Sequence, residues 1–418
     1  MWLLNTDTLE LKEFFDNAIP PYAILSHKWS DEEVSWYDMR GNHATIETKT
    51  GYKKISDFCA NAKRLGYSYA WMDSCCIDKR NSADLSEAIN SMYRYYRDSG
   101  QCLVYLADVP PVDSDGLNST GQRTSICNSL WFTRGWTLQE LIAPKQRKFF
   151  ASDWTVIELS IELIAQITGI EARVLHDHNL LSQFCIARRM SWASKRRTTR
   201  DEDMAYSLMG IFNVHMPVIY GEGLRSAFRR LQTEIIQTSS DQTIFVWRGA
   251  YESSGLLAHS PSDFANTPRL GLWKPVNLSP FSMTNVGLNI RMNIVEKEQE
   301  PTQARAQTRK TVLGALQCDA LGGTVPKLLI LYLESVPHAS FFVNGKTCQA
   351  YRRVRCNEFQ ETRTGAFKGQ TGPCHLKDVL ILQDEHMEFV VRAIDEHQCR
   401  WEDYWNARRI TAVDSDSQ

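Results

Sequence analysis

Short apolar runs alternate with amphipathic stretches over about the first 165 residues, and this alternation restricts the fold more than any other feature of the chain. Apolar side chains recur at helical spacing between Leu85 and Tyr96, as they do between Ile55 and Leu65. Strands that alternate with helices favour a parallel, doubly wound α/β sheet, which binds ligands at the carboxyl ends of its strands. The predicted strands are residues 22–26, 67–72, 102–107 and 148–150.

The pattern changes twice after this region. We predict an α/β domain at residues 1–165, a helical extension packed on it at 166–242, and a β-rich carboxyl-terminal domain at 243–418. Residues 296–310 have almost no apolar side chains, which is typical of a mobile loop or linker. Turn-rich segments separate the strand-like runs of the last domain. Those runs are residues 243–247, 288–294, 328–333, 340–343 and 379–382.

Composition excludes several classes of protein. The 418 residues carry a formal net charge of -2, so we expect neither nucleic acid nor a membrane as a partner. The longest clean apolar run, residues 328–333, is far shorter than the ~20 residues of a membrane helix. Eleven cysteines without framework spacing, and no visible secretory signal, favour a reducing, cytoplasmic setting. The histidines and cysteines near the carboxyl terminus lack zinc-site spacing, so we predict no metal.

Polar side chains follow the first two predicted strands. Hydrogen-bond donors, a cation and an indole ring follow the first strand, and an acid and a hydroxyl follow the second. Such a set suits a phosphate-bearing aromatic ligand, although a solvated loop with a half-buried tryptophan explains it equally well. The residues are Ser26, His27, Lys28 and Trp29 after the first strand, and Asp73 and Ser74 after the second.

Two adjacent cysteines, Cys75 and Cys76, come directly after this acid. One of them could serve as the nucleophile of a hydrolase, with His27 as its base. Adjacent cysteines at the end of a strand are more often thiols packed in a core. The cysteine-hydrolase hypothesis therefore stays open only as a minor alternative.

A glutamate and a tryptophan share one face of the short helix predicted within residues 131–144. Trp136 and Glu140 are four positions apart, while the aliphatic side chains of the same segment point to the opposite side. This spacing predicts an aromatic ring and a carboxylate that face outward together. The alternative is a partly exposed glutamate that pairs with Arg134 or Lys145.

Two further patterns each have a functional and a structural interpretation. Residues 220–226, YGEGLRS, weakly match a dinucleotide-binding fingerprint, but the start of a helix is the better interpretation. Residues 187–200 hold six basic side chains and no acid, which suits phosphate groups. A solvated loop balanced by the acids at 201–203 explains the same pattern.

Several blocks of the chain resemble the fungal heterokaryon-incompatibility (HET) domain in order and spacing. The resemblance covers about residues 20–155, and similarity to the helical segment that follows in these proteins extends it to about residue 232. The blocks are YAILSHKW at 22–29, YAWMDSCCIDK at 69–79, SEAINSMYRYY at 86–96, residues 102–109, and RGWTLQELIAP at 134–144.

HET domains in turn resemble TIR domains, several of which cleave NAD at its nicotinamide–ribose bond. These enzymes use a glutamate in a segment of the form Trp-Cys-Leu-x-Glu-Leu, which is similar to WTLQEL at residues 136–141, with Thr137 in place of cysteine. The resemblance implies that Glu140 is the catalytic residue, that NAD or a related nucleotide is the substrate, and that no separate cofactor is needed. The implied substrate contacts are Ser26, His27, Lys28, Trp29, Asp73, Ser74 and Trp136.

The resemblance also implies a fold class: a flavodoxin-like (TIR-like) α/β parallel sheet with flanking helices, then a helical segment and a mainly β carboxyl-terminal region. It leaves two functions open. In the first, the chain is an NAD-cleaving glycohydrolase whose activity triggers programmed cell death in heterokaryon incompatibility. In the second, it is a non-enzymatic, self-associating signalling module. The acid Glu140 beside the aromatic ring of Trp136 favours the enzyme. Both functions imply a homo-oligomer and an unidentified protein partner that senses non-self.

Overall fold

The chain forms two compact units. One comprises Met1–Phe184, Arg189–Ile235 and His259–Ala265, and the other comprises Cys185–Arg188, Ile236–Ala258 and Asn266–Gln418. The division into three domains at residues 165 and 242 stays a prediction. The computed structural model describes residues 1–15, 18–41, 46–111, 120–267, 270–271, 280–285, 287–296, 311–320, 327–343, 346–363 and 374–383.

A seven-stranded sheet forms the centre of the first unit, in the order β2-β1-β4-β3-β5-β6-β7. The four strands β4, β3, β5 and β6 are parallel, and the flanking strands β1 and β7 pair antiparallel to them. The predicted parallel α/β sheet is confirmed for these four strands, while the antiparallel flanks were not predicted. The strands are β1 (Trp2–Asn5), β2 (Leu11–Glu13), β3 (Tyr22–His27), β4 (Tyr69–Trp71), β5 (Gln101–Tyr105), β6 (Arg147–Phe150) and β7 (Val156–Ile157).

Helices alternate with the parallel strands. The third helix, α3, packs its buried face against the sheet, and Tyr96 donates a hydrogen bond from its hydroxyl to the backbone oxygen of Leu25 at 2.9 Å. Asn81 caps this helix by accepting from the backbone N–H of Ala83, as its sequence position predicts. The helices are α1 (Trp36–Met39), α2 (Thr50–Arg64), α3 (Ser82–Asp98), α4 (Thr120–Cys127), α5 (Thr137–Ile142), α6 (Ile161–Thr168), α7 (Ala172–His176), α8 (Ile186–Ala193), α9 (Asp203–Tyr206), α10 (Met209–Phe212) and α11 (Gly223–Thr238).

The second unit is rich in β-structure, as predicted, and its main strands close on themselves. Strands β11, β16, β14, β13 and β12 pair in sequence, and an additional pairing of β11 with β12 completes the ring. The inside of this sheet includes Val295, Leu313 and Ile330. The strands are β8 (Ser253–Ser254), β9 (Leu270–Gly271), β10 (Phe281–Thr284), β11 (Gly287–Glu296), β12 (Thr311–Ala320), β13 (Lys327–Val343), β14 (Lys346–Val354), β15 (Gln360–Arg363) and β16 (Cys374–Ile381).

Two predicted elements of this region differ from the structure. The strand expected at residues 243–247 is a 3-10 helix at Gln242–Phe245, because the Asp241 side chain accepts from the backbone N–H of Thr243 and caps a turn. The runs at 328–333 and 340–343 belong to one strand, β13. Of the linker predicted at 296–310, residues 297–310 lie outside the described residues. No helix in the described ranges is long and apolar enough to cross a membrane.

Candidate functional site

A cavity of about 300 Å³ opens at the carboxyl ends of the parallel strands, within the first unit. Its polar lining combines carboxyl groups, a histidine and basic side chains, while three aromatic rings and a few aliphatic side chains complete the wall. The lining includes His27, Asp73, Glu140, Asp203, Lys79, Arg134, Arg197, Arg200, Trp29, Trp136, Tyr220, Ile77, Leu85, Ile89 and Met92. The cavity therefore offers both charged contacts and flat surfaces for a ring-containing ligand.

Glu140 lies at the inner side of this cavity rather than on an exposed face. Its side chain is only 7 % exposed, and all six residues of α5 are buried. The prediction that it faces outward is wrong, because the segment after α8 covers this side of α5, where Arg196 donates to the Thr137 hydroxyl at 2.9 Å. The aliphatic residues of α5 do occupy the core, as the helical spacing predicted.

The surroundings of Glu140 hold its carboxyl in the protonated form. Burial raises the pKa of Glu140 to about 8, the nearby charge of Asp73 acts in the same direction, and the hydrogen bond from Ser26 opposes them. The hydroxyl of Ser26 donates to the carboxyl at 2.5 Å and accepts from the indole N–H of Trp131 at 2.8 Å. The first hydrogen-bond partner of Glu140 is thus Ser26, not the Arg134 or Lys145 of the alternative prediction.

Asp73 joins the two strand-end clusters. It contacts Nε2 of His27 at 3.0 Å through one oxygen and accepts from the indole N–H of Trp29 at 2.7 Å through the other. Burial alone would raise the pKa of Asp73, but hydrogen bonding and charge from His27, with Lys79 nearby, hold it well below its usual value. The ammonium of Lys79 lies over the Trp29 ring, 3.6 Å from its centre.

Lys54 of α2 contacts the ring nitrogen of His27 that faces away from Asp73, and this contact was not predicted. Its ammonium lies 3.1 Å from Nδ1 of His27 and also binds the carboxylate of Glu33. Lys54 and Asp73 thus contact the two ring nitrogen atoms of His27. Nothing in the spacing of Lys54 marks this contact, because the residue lies on a helix remote in sequence from the strand end.

Of the remaining predicted substrate contacts, the structure brings Trp136 to the cavity but not Lys28 or Ser74. Lys28 is exposed and does not line the cavity. Ser74 is 2 % exposed, and its hydroxyl has no hydrogen-bond partner among the described residues.

Cys75 and Cys76 are both buried, and neither lines the cavity. A hydrogen bond with Cys76, together with burial, raises the pKa of the Cys75 thiol well above its usual value. A cysteine nucleophile needs the opposite shift. These thiols therefore have the properties of core residues.

The segment 194–200, the last part of the basic run at 187–200, contributes to the site through Arg197 and Arg200, and both residues are also exposed to solvent. Its backbone pairs with the segment before α5: the N–H of Gly135 donates to the Arg197 oxygen at 2.8 Å, and the N–H of Arg197 donates to the Thr133 oxygen at 2.7 Å. A Cβ atom on Gly135 would lie 2.4 Å from Cγ2 of Thr198, so glycine permits this close approach. The run of basic residues was the signal for this contribution.

The YGEG segment is the start of a helix, as its better interpretation predicted. One carboxylate oxygen of Glu202 accepts from the backbone N–H groups of Gly221 and Gly223, at 2.8 and 3.0 Å, where α11 begins. The neighbouring Tyr220 donates to Asp203 at 3.0 Å, and both line the cavity. The described residues contain no group of three His, Cys, Asp or Glu side chains that could hold a metal ion.

Two segments of the chain match known protein families. Residues 22–116 match the family described as heterokaryon incompatibility protein (HET). Over this segment, which includes β3, β4 and β5, the chain is similar to HET proteins. Residues 226–286 match a second family, described as a domain of unknown function (DUF8212).

The chain is also similar to the vegetative incompatibility protein HET-E-1 of Podospora anserina. The two are 48 % identical over 230 residues, which is 54 % of this chain and 17 % of the relative. The chain thus spans a small part of that relative's length. No solved structure matches the chain.

Proposed function

We propose that this chain acts in fungal heterokaryon incompatibility and that its first unit cleaves NAD at the bond between nicotinamide and ribose. The main support for this proposal is the position of Glu140. Its buried carboxyl group is hydrogen-bonded to Ser26 and lines a cavity that Trp136 also lines. The similarity to a vegetative incompatibility protein supports the biological role.

The chemistry needs one carboxylate. Cleavage leaves an oxocarbenium-like ribose, which a water molecule attacks to give ADP-ribose and a proton. Nicotinamide departs neutral, so no second acid has to protonate the leaving group. In the free site burial keeps Glu140 largely protonated at neutral pH. The positive charge of a bound nicotinamide ring favours the ionised form, so substrate binding itself produces the anion that stabilises the transition state.

The remaining groups position the substrate in this proposal. Trp29 is fixed by its hydrogen bond to Asp73 and presents an indole face at the cavity, as Trp136 does. Aromatic faces of this kind stack on the planar rings of a nucleotide. Asp73 contacts one ring nitrogen of His27 and Lys54 contacts the other, so the orientation of this imidazole in the cavity wall is fixed.

The strand order supports a TIR-like interpretation of the first unit. Numbered along the chain, the four parallel strands occur in the sheet as second, first, third and fourth. Flavodoxin-like sheets have the same order at this end and bind ligands where the order reverses, between the first and third strands. The ends of β3 and β5 flank this position, and His27 ends β3.

The proposal includes assembly. A site built from strand-end loops is open to solvent, and a second copy of the chain would close it and exclude bulk water, leaving the single water molecule that the hydrolysis consumes. We therefore propose a cytoplasmic homo-oligomer that responds to a protein able to sense non-self.

Incubation of the full chain with NAD tests the proposed function. Chromatography should detect free nicotinamide in amounts equal to the NAD consumed. If no nicotinamide is released at any protein concentration, the enzymatic function is wrong, and the self-associating signalling module takes its place.

A further inference from the structure

We infer that Arg134, Arg197 and Arg200 form a binding site for a diphosphate group, so that the cavity accepts ligands of the nucleoside diphosphate class. This inference deepens the proposed function, because NAD contains a diphosphate, and it rests on that function for the rest of the ligand. The arginines come from two segments that are distant in sequence, and all three line the cavity.

Backbone pairing places two of the arginine residues side by side. Arg134 and Arg197 are direct partners in a parallel bridge between their segments. The buried guanidinium of Arg196 also links these two segments, because it donates to the backbone oxygen of Arg134 at 2.8 Å. The hydroxyl of Thr198, the residue after Arg197, donates to the Arg200 oxygen at 2.6 Å, and Arg200 also lines the cavity.

These arginines have few partners in the protein itself. Among the described residues, none of the three forms an ion pair with a carboxylate. The Nε–H group of Arg134 is buried and donates to no acceptor in the described part of the chain. Arg200 lies against the Tyr220 ring, 4.1 Å from its centre, which orients its guanidinium without neutralising it. A buried N–H group without an acceptor is costly unless a ligand supplies one.

The carboxyl groups of the cavity have other partners. Burial raises the pKa of Glu140 to about 8, which favours its neutral form at neutral pH, and Asp203 accepts from the Tyr220 hydroxyl at 3.0 Å. Asp73 is occupied by His27 and Trp29. Guanidinium groups bind phosphate oxygens through pairs of parallel hydrogen bonds, so a cluster of three matches a diphosphate better than a single carboxylate.

Calorimetric titration of the full chain with ADP tests this site, with adenosine as the ligand that lacks the diphosphate. ADP should bind, and adenosine should bind at least tenfold more weakly. Arg197→Gln and Arg134→Gln should each weaken ADP binding about tenfold, as expected for one charged hydrogen-bonded contact. Lys195→Gln is the matched control, because Lys195 is exposed in the same segment and does not line the cavity. It should bind ADP like the unchanged chain.

The inference is overturned if ADP does not bind, if adenosine binds as tightly, or if neither arginine variant weakens ADP binding. It is also overturned if Lys195→Gln weakens binding as much as Arg197→Gln, since the effect is then one of overall charge. These outcomes are separate from NAD cleavage. Binding of ADP that depends on Arg197 in a chain that cleaves no NAD supports this site and removes the proposed function. Cleavage of NAD by the unchanged chain, with ADP binding that is unchanged in both variants, supports the proposed function and removes this site.

Discussion

Glu140 owes its chemistry to burial. A carboxyl group hydrogen-bonded to Ser26 at the inner side of a cavity exchanges its proton near neutral pH, whereas an exposed glutamate does not. This environment lowers the free energy of unfolding wherever the carboxyl group has to lose its proton. The unfolded chain releases the proton near the ordinary pKa of 4.5, and the folded chain keeps it up to a pH of about 8. The contribution of Glu140 to the free energy of unfolding is therefore lost progressively over this interval.

We expect Glu140→Gln to become more stable relative to the unchanged chain as the pH rises from 5 to 8. Glutamine accepts the hydrogen bond from Ser26 but has no proton to lose. Each kcal/mol gained should raise the melting temperature by roughly 2–4 °C for a unit of this size. Thermal unfolding of both proteins at the two pH values measures the effect. A difference in melting temperature that does not change with pH would show that Glu140 is not buried in this way.

Asp73 has the opposite relation to pH. Its folded pKa lies below the usual value, so its carboxylate stabilises the fold at neutral pH, and this stabilisation is lost only in strong acid. We expect Asp73→Asn to lower the free energy of unfolding at pH 7 by about 1–3 kcal/mol, because His27 and Trp29 lose a charged acceptor. Asp31→Asn, at an exposed position, is the control. Denaturant titration that gives equal stabilities for the two variants would contradict this role of Asp73.

Much of the site could be predicted from residue type and position after a strand. His27, Trp29 and Asp73 surround one cavity with Trp136 and Glu140, and all of them were named from the sequence. Their catalytic and binding roles stay predictions. The burial of Glu140 could not be predicted, since it depends on a segment some 60 positions away whose pairing with residues 133–135 leaves no periodic signal.

At the scale of elements, the contact between Gly135 and the segment 194–200 shapes the wall of the cavity. We expect Gly135→Ala to destabilise the first unit by about 1–3 kcal/mol and to weaken ligand binding, because the new methyl group meets Cγ2 of Thr198. Adding Thr198→Ser removes that methyl group, keeps the hydroxyl that bonds to Arg200, and should restore most of the loss. Melting temperatures of the single and double variants measure this.

Gly121→Ala serves as the control for this pair, because nothing lies within 4 Å of a Cβ atom at that position of α4. It should be neutral or slightly stabilising, since alanine favours a helix over glycine. A Gly135→Ala chain as stable as this control would mean that the two segments do not pack as described.

Element types followed from apolar spacing where the spacing was long and regular, as in α3 and β11. Apolar spacing did not predict the element type where a local cap or a distant strand pairing determines it. Asp241 caps a 3-10 turn in a run that otherwise alternates like a strand. Strands β1 and β2 are too short to show a pattern, and their place at the sheet edge depends on the pairing of Leu4 with Ala70.

At the scale of the whole molecule, the proposed function depends on copies of the chain meeting. We expect the rate of NAD cleavage per molecule to rise with protein concentration, because a neighbouring copy closes the open site. A dilution series with parallel light scattering measures rate and mass together. A constant rate per molecule in a protein that stays monomeric would exclude this dependence on assembly.

Nicotinamide release from NAD by the Glu140→Gln chain measures the proposed chemistry itself. The comparison includes the unchanged chain and Glu87→Gln, which removes an exposed carboxylate of α3 outside the cavity, at a temperature where all three are folded. Loss of the charge that stabilises the transition state should lower the rate of Glu140→Gln by about 10²–10³-fold. Glu87→Gln should match the unchanged chain. Release of nicotinamide by Glu140→Gln at the rate of the unchanged chain would contradict the assignment of Glu140 as the catalytic carboxylate.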